Sequence, residues 1–302
     1  MGRRHARLGR QYGWTVAYLL PSVGLLTTFV LVPIGLTIWL SFHNWSTQTP
    51  FGSARFTGLA NYRQLLADGP VGRDFRQALR NTFTYAGWSI LLILPLSVAF
   101  GLFIHRVAIR GSGVLRALLF STYMVPTIAV ALVWSKLYSP SEGPFNQILH
   151  WLGADRQKWL SSPETALRSL VLLNVWQQVG YFTVLVVAGL TQIPDSVYEA
   201  AALDGARGPR LLWRITLPLL RRTLLFNVVI ALINAIQVFE PVAALTQGGP
   251  VGSTNVLTYH IRRVGIERSQ GGLGSAMAVS LLLALVAAVS LVFAINRRGY
   301  DA

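Results

Sequence analysis

Long apolar runs alternate along this chain with short polar segments. The runs lie at about residues 15–40, 82–104, 116–138, 168–191, 223–245 and 274–296. Each is close to the ~20 residues a helix needs to cross a bilayer. They predict six transmembrane helices and therefore an all-α integral membrane protein, with residues 1–14 as an N-terminal segment and 15–302 as one six-span domain. The first run follows Arg3, Arg4, Arg7 and Arg10, a basic flank that also begins a signal peptide. This run is too long for a cleaved segment and lacks a clear small-x-small cleavage site, so it reads as a first span. Pro21 and Pro33 kink it or mark its ends.

The polar interval 41–81 carries Pro50, Gly52, Gly58 and Gly69. Within it Tyr62, Leu65 and Leu66 beside Arg63 fit either a short interfacial helix or a plain connecting loop. The second span, Asn81 to Ile104, contains Pro95, and His105, Arg106, Arg110 and Arg116 connect it to a third span that contains Pro126. Residues 139–167 are too polar to cross a bilayer. The segment between the fourth and fifth spans, 192–222, is charged and helix-prone. Pro194 ends the preceding helix there, Asp195 or Ser196 can cap a new one, Gly205 provides a left-handed position, and Pro218 breaks or kinks the chain.

Composition agrees with the pattern: 53% of residues are hydrophobic, 12% are charged and the mean hydropathy is +0.49. With no cysteine, disulfides and thiolate metal sites are excluded. His5, His43, His105, His150 and His260 are scattered without metal-ligand spacing. The net charge of +15 does not indicate nucleic acid, because the basic residues cluster at the ends of apolar runs and not on one soluble face. With six spans, both termini and the 192–222 loop lie on one side. Basic residues on that side barely outnumber those on the other, but they sit in short segments against the spans, which places that side in the cytoplasm.

Glu199-Ala200-Ala201, then Asp204-Gly205, then Ile215-x-Leu217-Pro218 after a basic linker, resembles the EAA loop of binding-protein-dependent ABC importer permeases. Leu203 stands where many members have Ile. Leu245-Thr246-Gln247-Gly248-Gly249-Pro250 resembles a segment of the permease that pairs with a second, different permease in sugar and glycerol-3-phosphate importers. Phe56-x-Gly58-Leu59-x-Asn61-Tyr62 is similar to a segment ahead of the second span in that branch. The likeness covers most of the chain and leans toward the glycerol-phosphate permeases over the maltose type.

This resemblance implies the type I ABC importer permease fold in a bacterial cytoplasmic membrane. It implies a second six-span permease, two ATP-binding subunits and an external solute-binding protein as partners. No cofactor is expected in this chain, ATP and Mg being bound by the partner ATPase. Glu199, Ala200, Ala201, Asp204, Gly205, Ile215, Leu217 and Pro218 would couple the two. The chain contains no phosphate-binding Gly-x-x-x-x-Gly-Lys-Ser/Thr loop, nucleophile elbow or zinc motif, so no catalysis is expected of it.

In the fourth span Asn174, Gln177, Gln178 and Tyr181 fall at helical spacing on one face, and in the fifth Asn227, Asn234 and Gln237 form a similar stripe extended by Glu240. Such faces must meet protein or water. Amides both donate and accept, which suits a hydroxyl-rich solute in a transport pathway, but the same residues serve equally well as hydrogen-bonding links between helices. Arg262, Arg263 and Arg268 in the last outer loop could attract a phosphate-bearing solute or serve as a docking or solvated loop. An ion-gradient-driven transporter is the alternative; it would want intramembrane acids, and only Glu240 qualifies.

Overall fold

The computed structural model describes residues 18–106 and 112–298. The N-terminal segment 1–14 with its arginines, Arg110 and residues 299–302 lie outside the described residues. Among the described residues the chain is helical apart from one two-stranded antiparallel ladder, β1 (His43–Asn44) with β2 (Arg55–Phe56), in which His43 faces Phe56. Five helices are long and apolar enough to cross a membrane, and a sharply bent pair supplies a sixth span. The chain divides into two compact units, Met1–Ala67 with Ile261–Ser280, and Asp68–His260 with Leu281–Ala302.

In the first unit the first span runs from Tyr18 to Ser41. Pro33 does not break it. The ring of a helical proline collides with the carbonyl four residues back, and here a π turn at Thr27–Leu31 widens the helix just before it, with the Val32 N–H donating to the Thr27 carbonyl. Beyond the ladder a helix at Ala60–Leu66 replaces the alternative of a plain loop. It is held by Asn61, whose buried side-chain amide donates to the carbonyls of Ser41 (2.9 Å) and His43 (3.0 Å), and by the Tyr62 hydroxyl on Ser41 Oγ (2.7 Å).

The second unit is built around the fourth span, Ala166–Leu190, the most enclosed of the membrane helices. It packs against the second, third and fifth spans. Tyr85, Ile93, Leu170, Phe182, Ile236 and Val242 form the core between them. The close approach of the third span depends on Gly180, where an added Cβ would overlap the Leu119 carbonyl.

Three boundaries differ from the hydrophobic pattern. The second span begins at Pro70, eleven residues ahead of Asn81, and runs unbroken to Arg106. Its first turns are amphipathic, with Phe75, Ala78 and Thr82 buried on one face and Arg73, Arg76 and Arg80 between them, so their mean hydropathy is low although their periodicity is helical. The third span is two helices, Ser112–Met124 and Thr127–Leu137, meeting at 95°. The fifth is interrupted as well: Arg221–Ile236 ends at Gln237, and a short helix resumes at Glu240–Leu245. The loop 139–167 also holds a helix, Pro144–Trp151.

Candidate functional site

The two interruptions meet one another. Residues Tyr123 to Thr127 of the third span and Gln237 to Pro241 of the fifth line a cavity of about 600 Å³, with Asn174, Gln177, Gln178 and Asn234 completing its wall. The short helix Glu240–Leu245 packs against Thr127–Leu137, so the C-terminal halves of the two broken spans lie side by side. Breaking a helix in a membrane frees carbonyls that lipid cannot satisfy. Here side chains take them. Gln177 Nε2 donates to the Val125 carbonyl (3.1 Å) and to Thr127 Oγ1 (3.2 Å), and the Thr258 hydroxyl donates to the Val238 carbonyl. The Thr122 hydroxyl also donates back to the Gln177 carbonyl (3.2 Å), pinning the bend from its other side.

The remaining amides form a chain across three spans. Asn234 Nδ2 donates to Gln178 Oε1 (3.3 Å), Gln178 Nε2 to Asn174 Oδ1 (2.6 Å), and Asn174 Nδ2 to Ser89 Oγ (3.1 Å). These residues link helices and also line the cavity. Gln237 and Glu240 are exposed at the wall. Tyr181 joins the wall indirectly, stacked on Tyr123 with ring centroids 4.5 Å apart. Asn227 lies apart from the cavity, fully buried, and neither of its amide atoms has a hydrogen-bond partner among the described residues. Nothing else in the lining was visible from polar stripes. Tyr123, Met124, Val125 and Thr127 reach the cavity because of the bend at Pro126, which the hydrophobic pattern does not distinguish from an unbroken span.

The loop between the fourth and fifth spans forms a helix at Asp195–Leu203. Pro194 is its N-cap and Asp195 its first helical residue; neither Asp195 nor Ser196 makes a capping bond, the proline having already fixed the extended approach. The end is closed as expected of Gly205, which has φ +73°. The Ala206 N–H donates to the Ala201 carbonyl (2.9 Å) and the Gly205 N–H to that of Ala202 (3.1 Å), the paired bonds of a Schellman ending. Ala201 is buried and anchors the helix, while Glu199, Ala200 and Asp204 are exposed. Leu203, one residue past the Ala run, is 91% exposed, and Trp213 is 70% exposed. Both are large apolar side chains facing away from the fold on a polar segment, an exposure that the sequence pattern did not signal. Ile215 and Leu217 are half-buried. A π turn at Leu212–Thr216 precedes Pro218, with the Leu217 N–H donating to the Leu212 carbonyl, as before Pro33, and the helical path is interrupted just after the proline: the segment Leu217–Leu219 ends at Leu220 (ψ −4°), and Arg221–Ile236 starts beyond it.

A model of the family described as binding-protein-dependent transport system inner membrane component matches residues 97–299. The chain is 33% identical over 293 residues to the trehalose/maltose transport system permease protein MalF of Thermococcus litoralis, spanning 96% of this chain and 93% of that one. It is 31% identical over 294 residues to the diacetylchitobiose uptake system permease protein NgcF of Streptomyces coelicolor, across 93% and 82%. It is 31% identical over 272 residues to the sn-glycerol-3-phosphate transport system permease protein UgpA of Pectobacterium atrosepticum, across 89% and 88%. Among solved structures, a chain of a bacterial ABC transporter involved in the import of alginate superposes with a TM-score of 0.81 at 25% identity, across 98% of this chain and 99% of that one.

Proposed function

Because this chain belongs to the family of binding-protein-dependent transport system inner membrane components, we propose that it carries a sugar-type solute across the membrane as one of two permeases in an ATP-driven importer. The observation that supports this reading best is the cavity at the two broken spans, walled by amides and by the Tyr123–Tyr181 stack. Hydroxyl-rich solutes bind to such walls through hydrogen bonds and through ring faces. Relatives whose names specify trehalose/maltose, diacetylchitobiose and sn-glycerol-3-phosphate bracket the solute class.

In this reading the Asp195–Leu203 helix is the coupling helix. Its exposed Glu199 and Leu203 dock in a groove of a separate ATPase, and Ala201 and the Schellman ending keep it rigid enough to transmit motion. Both termini face the cytoplasm and an external binding protein delivers the solute from the other side. ATP and Mg act on the partner. ATP binding closes the ATPase pair, the coupling helices move with it, and the cavity changes the side to which it opens. The test is ATPase activity of the complex assembled in lipid with the products of neighbouring genes and its binding protein, against a panel of neutral sugars and sn-glycerol-3-phosphate. Stimulation by a member of the panel is expected. If no ATPase subunit assembles with this chain and nothing in the panel changes hydrolysis, the reading fails.

A further inference from the structure

Among its described lining residues the cavity carries one formal charge, the Glu240 carboxylate, against a background of neutral amides and hydroxyls. Four of its amide NH2 groups are already engaged: Gln177 Nε2 uses both hydrogens on Val125 and Thr127, and Asn174, Gln178 and Asn234 each spend one on the chain that ends at Ser89. The Asn174 and Gln178 oxygens are consumed by the same chain. The uncommitted amide oxygens are those of Gln177, Asn234 and Gln237, and they are joined by the Glu240 carboxylate, which accepts at two oxygens. Among the described residues the lining includes no Lys, Arg or His. Asn174, Gln178 and Asn234 each keep a second amide hydrogen, Gln237 keeps both, and Tyr123 and Thr127 add hydroxyls, so the wall can donate as well as accept. Its one formal charge is the Glu240 carboxylate, which accepts from a ligand's O–H groups and repels a bound anion with no cation among the described lining residues to offset it.

We propose that Glu240 is a specificity-determining residue which makes this cavity select hydroxyl-bearing neutral solutes and turn away anionic ones, phosphorylated sugars and glycerol phosphate included. The inference rests on the cavity being the solute pathway and specifies its chemical class. The carboxylate repels an anion bound beside it, whereas the same carboxylate takes two hydroxyl donors from a sugar ring at once. Glu240 is the first residue after the break in the fifth span, so its side chain leaves the backbone where the helix wall is open. Gln237, at the other edge of the same gap, supplies the amide whose two hydrogens are both uncommitted and so can donate to a ring oxygen.

The test is direct binding to the full complex in nanodiscs, without the binding protein, so that only the permease discriminates. Saturation-transfer NMR compares trehalose with trehalose 6-phosphate, a pair differing by one phosphate, alongside maltose and diacetylchitobiose. The wild type is expected to bind a neutral sugar and to exclude trehalose 6-phosphate. Glu240→Gln should raise phosphate-sugar binding relative to trehalose by about tenfold or more, and Glu240→Asp should keep the exclusion. Equal binding of the matched pair by wild type, or an unchanged ratio in Glu240→Gln, overturns the role of Glu240 while leaving the pathway standing. The cavity-filling variant Asn234→Phe separates the two ideas. If sugar binding survives it, or if no neutral sugar binds at all, the cavity is not the pathway and both readings fall together.

Discussion

The cavity and the Asp195–Leu203 helix belong to one compact unit, yet their polar residues are held in opposite ways. Around the cavity almost every amide is committed to another span, and Gln177 alone ties the fourth span to both sides of the bend in the third. On the exposed helix the ordering is local: Pro194 begins it, the Gly205 ending closes it, and only Ala201 is buried. The cavity is thus a tertiary object whose residues are costly to change. The helix is a backbone object whose side chains are free to be read by something else. Stability should be sensitive in the first region and interaction in the second.

Substitutions that separate the two effects can break that contrast. Gly180→Val drives a side chain into the Leu119 carbonyl and should cost about 3 kcal/mol, the upper part of the range for overpacking. It should appear as a large loss of the folded chain in a detergent melt, and near-normal melting would show that the third span is not seated as described. Gln177→Leu keeps the volume but strips the Val125 carbonyl of its donor, at about 2 kcal/mol for an unsatisfied buried acceptor. A melting temperature equal to wild type would mean that the bend is held by something else. Gly205→Ala places a Cβ in the left-handed region at φ +73°, costing about 1 kcal/mol, with amide exchange rising only in the loop.

The smallest effect on stability and the sharpest on function belong to Leu203→Asp and Glu199→Ala. Both residues are exposed, so the melt should move by less than about 0.5 kcal/mol. Solute-stimulated ATP hydrolysis should nevertheless fall by about tenfold for Leu203→Asp, as for an apolar anchor at the centre of an interface, and less for Glu199→Ala. Wild-type hydrolysis in both variants would remove the docking role from this helix.

The same contrast explains what could be read from the chain alone. The spans, the Gly205 ending and the polar stripes are carried by spacing and by intrinsic backbone preference, so they were legible. Prolines were not. Pro95 and Pro126 both lie in apolar runs, and one sits inside an unbroken helix while the other stands at a 95° bend. At Pro126 the fourth span supplies Gln177 to accept the consequences, and no local sequence feature of the third span announces that. The start of the second span was missed because arginines alternate with its buried positions. Asn227 looked like its neighbours Asn234 and Gln237 in spacing, but it is displaced from the cavity and buried. Leu203 was passed over as a mild variant of Ile, since exposure is not written in hydrophobicity.

The π turn at Leu212–Thr216 has a consequence for chain length. In an α-helix each added or lost residue rotates everything beyond it by about 100°, which would swing Asn234 and Gln237 from their wall toward lipid. A π turn is a single surplus residue absorbed into one widened turn. Deleting one residue there should let the helix close into regular α geometry with the azimuth of the fifth span unchanged, whereas the same deletion between Asn227 and Ile236 should turn the amide face away. The path from the exposed helix to the cavity therefore contains one place where the gene can shorten by a codon and the wall of the cavity stays where it is.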